Sequence, residues 1–177
     1  WSFRHQSAVL TLATAAWFTG EERLVSLTTR VMDRAASAED WVAEENKPMA
    51  CDHVAANVGA MFAQCMDLLA GRLTNDHIAR YREAVREKCL NPFLDACRTR
   101  DPSWSRRDCP SNWRIMTCGD AGLAALGMVD SDADIAEILA YSVECVVDIL
   151  NQIPENGDFA EGPGHFVSAL WMGLRFL

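Results

Sequence analysis

The chain has 177 residues, 50% of them hydrophobic, which is enough for one domain with a sizeable core and too apolar for a disordered segment. Its net charge of −9 argues against a nucleic-acid partner, because neutralising phosphates takes a surplus of Lys and Arg. No apolar run reaches the ~18 residues needed to span a bilayer, so a membrane is not an expected partner either.

A first helix is predicted from about Arg4 to Phe18. It is apolar almost all round through Ala8, Val9, Leu10, Leu12, Ala13, Ala15 and Ala16, the pattern of a helix buried on every side. Thr19-Gly20 turns the chain into a second helix, Glu21 to about Ala36, with Leu24, Leu27 and Val31 on one stripe and Arg23, Arg30 and Arg34 on another. A long connection, Ser37 to Ala50, carries Trp41 and Pro48. Asp52 is placed to cap a third helix, about His53 to Ala70, because its carboxylate accepts from free first-turn amides. That helix is again apolar around much of its girth.

Gly71 to Thr74 make a short turn into a fourth, amphipathic helix from Asn75 to about Arg98, with Ile78, Tyr81, Val85, Cys89 and Phe93 inside. Pro92 is expected to kink it by removing a backbone donor. A second long connection follows, Asp101 to Ser111. Helix five starts near Asn112 and is rich in Gly and Ala from Gly119 to Gly127, so close packing must offset about 1 kcal/mol of helix propensity lost per glycine. A short turn leads into helix six, about Asp132 to Ile153, and a third long connection, NGDFAEGPG at 156–164, opens a terminal apolar helix.

Odd-numbered helices are thus small and apolar, and even-numbered ones amphipathic. Connections alternate too, short after odd helices and long after even ones, and short connections force antiparallel neighbours. The expected architecture is all-α, with antiparallel helical hairpins in two layers curving as part of an α/α toroid, an incomplete barrel. In that geometry every long connection falls on one rim, which gathers Asp52, His53, Asn112, Glu161 and His165. The five arginines at 98, 100, 106, 107 and 114, against Asp101 and Asp108, give an otherwise acidic chain one basic stretch suited to an anionic ligand.

Seven cysteines without CxxC or Cys/His ligand spacing point to buried thiols acting as small hydrophobes. They suit a reducing compartment, and location stays open between a bacterial cytoplasm and periplasm. A zinc site on Cys109, Cys118 and a rim histidine lacks three convergent ligands in the spacing, so neither metal nor cofactor is expected.

The segments CDHVAANVGAMFAQCMDLL at 51–69, SNWRIMTCGDAGLAAL at 111–126 and NGDFAEGPGHFVSAL at 156–170 resemble, in that order and spacing, the α/α-toroid domain of heparinase II/III-like polysaccharide lyases. The resemblance spans most of the chain, which on this reading is one toroid fragment over residues 1–177 without the family's downstream β-sheet domains. It implies cleavage of an acidic, uronate-containing polysaccharide by β-elimination. Asn112 matches the family's asparagine that donates to the uronate carboxylate. Trp113 stands where relatives often carry histidine, and suits sugar stacking. The family's EGP element commonly continues into a tyrosine-containing pair, whereas here GHFVS follows, so His165 is the expected proton-transfer group. His53, Trp113, Arg107, Arg114 and Glu161 are the candidate substrate contacts, the arginines as bidentate carboxylate clamps. Trp41 and Trp104 are lesser stacking candidates. The alternative is a non-catalytic carbohydrate-binding or scaffold toroid, favoured by the absent tyrosine. Sugar, linkage, endo or exo mode and oligomeric state stay open.

Overall fold

The computed structural model describes residues 3–101, 103–106, 111–128, 133–155, 157, 159 and 161–177, and among them there are helices and no strand. The helices are α1 Phe3–Thr19, α2 Glu22–Ala36, α3 His53–Leu68, α4 Asn75–Val85, α5 Asn91–Thr99, α6 Asn112–Leu126, α7 Ala133–Gln152 and α8 Pro163–Leu174. They form two layers. In the inner one α1, α3, α6 and α8 lie side by side in chain order, and in the outer one α2, α4 with α5, and α7 back them.

The start of α3 is fixed by the residue that precedes it. Asp52 caps α3 by accepting the Ala55 amide at 2.8 Å. Its other carboxylate oxygen takes the Asn46 side-chain amide at 2.6 Å and the Ala43 backbone at 3.1 Å. One buried carboxylate therefore fixes both the helix start and the connection leading to it. At the opposite end Gly71, with φ +77°, reverses the chain, and Thr74 caps α4 through the His77 amide at 3.2 Å.

Two of the four inner helices are enclosed as their composition predicts. In α3 every residue from Val54 to Ala63 is buried, and in α6 so is every residue from Arg114 to Gly122. The expectation of burial on every side fails for α1, and the apolar terminal helix α8 is open as well. Among the described side chains of α1 only Gln6, Val9, Ala13 and Ala16 are buried, while Trp17 and Phe18 are exposed. On α8 only Ala169 and Gly173 are buried. The reason is positional: α1 meets α2 and α3, α8 meets α6, and each has a flank that none of the described residues covers.

The fourth predicted helix is corrected in detail. It is one helical run whose irregularity precedes Pro92, as a π turn at Arg86–Leu90 closed by the Asn91 amide donating to the Arg86 carbonyl. Proline has no amide to give the carbonyl one turn back, and the wider turn absorbs that mismatch. Trp41 and Trp104 are corrected as stacking candidates, because both are buried. Trp41 donates to the Ala35 carbonyl at 2.9 Å and stacks on Phe62, and Trp104 donates to the Cys51 carbonyl at 3.1 Å and stacks on Phe93. They pin the long connections to the core.

Small residues in α6 do admit a close neighbour. A Cβ added at Gly119 would lie 2.9 Å from the Met172 carbonyl oxygen and 3.3 Å from the Gly173 Cα, both backbone atoms of α8. Alanine there gains about 1 kcal/mol of helix propensity against about 1–3 kcal/mol of overpacking. Gly119→Ala is expected to lower stability by about 1 kcal/mol, read as a lower urea midpoint at unchanged slope. Six described cysteines are buried and unpaired in disulfides. Burial pushes the thiols of Cys65 and Cys97 up to about 12, so they stay protonated at neutral pH.

Candidate functional site at the starts of α3, α6 and α8

His53 is the first residue of α3 and Trp113 the second of α6, and the two inner helices run close enough for these rings to meet. Their centroids are 4.5 Å apart at 51°. Both side chains are half-buried. Burial lowers the pKa of His53, with Asp52 and then Glu45 pulling in the opposite direction, so the imidazole is neutral at neutral pH. A neutral ring has a nitrogen lone pair with which to accept a proton.

Asn112 opens α6 and is buried. Local rules favour Ser111 as the cap, yet its side chain makes no capping bond. The carboxylate of Glu161 does this work from 49 residues away, accepting the Asn112 backbone amide at 2.6 Å. A helix N-terminus has free amides and a partial positive charge, so an anion from any part of the chain can cap it. The bond ties the connection before α8 to the start of α6. That connection then closes on its own helix: the Gly162 amide donates to the Phe159 carbonyl at 2.8 Å, Phe166 donates to Gly162 at 3.1 Å, and the Phe159 and Phe166 rings pack at 5.5 Å.

His53, Trp113, Asn112 and Glu161 are therefore brought together, and His165 stands exposed on the first turn of α8. Arg114 is not part of this rim surface. It is 2% exposed and donates to Asp148 of α7 at 3.1 Å, which places it in the α6–α7 interface. The arginine-rich stretch also disperses. Arg98 pairs with Asp134 and Glu137 on the outer layer, and Arg100 donates to the Ser105 carbonyl while lying over the Tyr141 ring. Arg107 and Cys109 fall outside the described residues, as do Asn156, Asp158 and Ala160 of the NGDFAEGPG segment. Among the described residues no group of three or more His, Cys, Asp or Glu side chains could hold a metal ion, and no helix is long and apolar enough to cross a membrane.

A polar cluster within the inner layer is a feature that the sequence pattern does not announce. Asp120 of α6 is fully buried, accepting from Asn57 of α3 at 2.7 Å and from Arg175, just after α8, at 2.8 Å. Burial raises its pKa to about 6 despite the opposing pull of Arg175 and Asn57. The available signal was a single carboxylate and a single amide on otherwise small or apolar helices. The chain matches no protein-family profile, and it matches no curated protein.

Proposed function

We propose that the chain is the α/α-toroid portion of a polysaccharide lyase, and that the starts of α3, α6 and α8 bind an acidic sugar polymer at a uronate. The observation that carries this is the neutral His53 imidazole held against the Trp113 indole, beside an Asn112 whose backbone is gripped by Glu161. A β-elimination needs a donor to the carboxylate, a base for the C5 proton and an acid for the leaving oxygen. The Asn112 side-chain amide fills the first role. His53 takes the C5 proton, the electron pair forms the C4–C5 double bond as the C4–O bond breaks, and the oxygen leaves protonated by His165 or water. Base duty thus passes from His165, the expected group, to His53, whose neutral state is maintained by burial. Trp113 offers a stacking face to the sugar ring.

The test is ultraviolet absorbance of the unsaturated uronate when the purified protein meets alginate, heparin, heparan sulfate or chondroitin. At least one polymer is expected to yield product, and His53→Gln to lower the rate roughly a hundredfold. A second reading, non-catalytic carbohydrate binding, has its own support. The Tyr81 hydroxyl is committed to Asp33 at 2.6 Å and Tyr141 lies under Arg100, so neither tyrosine serves the rim. Retention of a polymer without product would decide for that reading.

A further inference from the structure

A narrow cleft opens where α1, α3 and the end of α8 converge, one helical turn beyond His53 along α3. It encloses about 130 Å³, and its walls include Gln6, Leu10, Asn57, Met61, Trp171 and Arg175. Gln6 is 4% exposed, yet among the described residues neither its amide nitrogen nor its amide oxygen has a hydrogen-bond partner, and the Arg175 Nε is likewise without one. Buried polar groups in native proteins are satisfied as a rule, so an orphaned carboxamide beside a cleft marks a place where something else supplies the bonds. The charge inside is balanced, because Arg175 is paired with Asp120. Trp171 stands at the mouth with 67% of its surface exposed.

These features select a ligand. A carboxamide offers one acceptor and one donor side by side, the complement of two adjacent hydroxyls. An exposed indole offers a flat apolar face, which the C–H face of a sugar ring covers well. A balanced ion pair leaves no net charge with which to hold an anion or a cation. The volume equals about four waters, which admits the hydroxyl-bearing edge of one ring and leaves the remainder over the indole. We propose that this cleft is a subsite for one uncharged sugar ring, held by the Gln6 amide through adjacent hydroxyls and by the Trp171 indole through its apolar face.

None of the residues lining this cleft is among those given a role at the rim, so binding here and product formation there can fail independently. The experiment is an NMR titration of the labelled protein with glucose, galactose, mannose and N-acetylglucosamine, following the Gln6 side-chain amide. At least one of them is expected to shift that resonance saturably, with a dissociation constant of roughly 1–10 mM, as suits a single small ring. Gln6→Leu loses no hydrogen bond on folding and is expected to stay folded, and Trp171→Ala alters an exposed residue. Each should weaken binding at least tenfold, followed for the leucine variant through the Trp171 indole resonance. No saturable shift with any of the four sugars, or unchanged affinity in both variants, overturns the subsite. Glucuronate binding as tightly as the neutral sugars overturns its assignment to an uncharged ligand.

Discussion

Arg114→Ala is expected to destabilise the protein by about 3 kcal/mol, the cost of truncating a large buried side chain whose site collapses only in part. Arg114 is 2% exposed and sits among Cys97, Cys118 and Cys145 between α6 and α7, with its guanidinium reaching Asp148. The Asp148 side chain is 37% exposed, so the carboxylate left behind regains water and adds little to the loss. Lost packing should therefore dominate, which Arg114→Met separates from lost charge. Methionine refills much of the volume and is expected to cost about 1 kcal/mol. Urea unfolding of both variants measures this. Equal losses for alanine and methionine would show that the charge matters more than the volume. An alanine variant of native stability but weakened polymer binding would return Arg114 to the substrate.

Asp120→Asn removes a pH dependence. The folded protein holds the Asp120 proton to about pH 6, whereas the unfolded chain releases it near the ordinary value of 3.8. Between those values the native state binds more protons, so stability falls as pH rises. The contribution is fully present below about pH 4 and lost as pH rises through about 6, amounting to about 3 kcal/mol for a shift of this size. Asparagine cannot titrate. The native protein should therefore lose about 3 kcal/mol relative to Asp120→Asn between pH 4 and pH 7, with the variant's own offset cancelling in the comparison. Denaturation of the pair at several pH values supplies the test, and a stability difference that stays constant across the window contradicts it.

Some of this was legible in the sequence, and the misses have physical causes. The apolar girth of α3 and α6 announced enclosed helices. The same pattern in α1 and α8 misled, because composition records what a helix can bury and not whether a neighbour is present to bury it. The alternation of connections puts Asn112 and Glu161 on one rim, yet the bond between them escapes a rule that seeks a cap next door, since a carboxylate 49 residues distant supplies it. Arg114 lies away from the rim surface for a simpler reason. Successive helical residues point about 100° apart, so a helix that turns Trp113 towards α3 must turn Arg114 away. Asp120 was hidden by its neighbours, since a carboxylate among small residues looks like a surface position until the facing helices are known.

The π turn at Arg86–Leu90 sets the angular phase of everything after it. Tyr81, Val85, Cys89, Phe93 and Cys97 are all buried and recur every four residues. In a regular helix of 3.6 residues per turn such a series drifts by about 40° at each step and soon rotates out of the interface. One wide turn takes back much of that drift, keeping Phe93 pointed inward, where Trp104 stacks on it. The long connection that Trp104 anchors thus owes its position to an offset stored a full turn before Pro92. A four-residue beat sustained through a helix is a written record of that offset, readable before any coordinates.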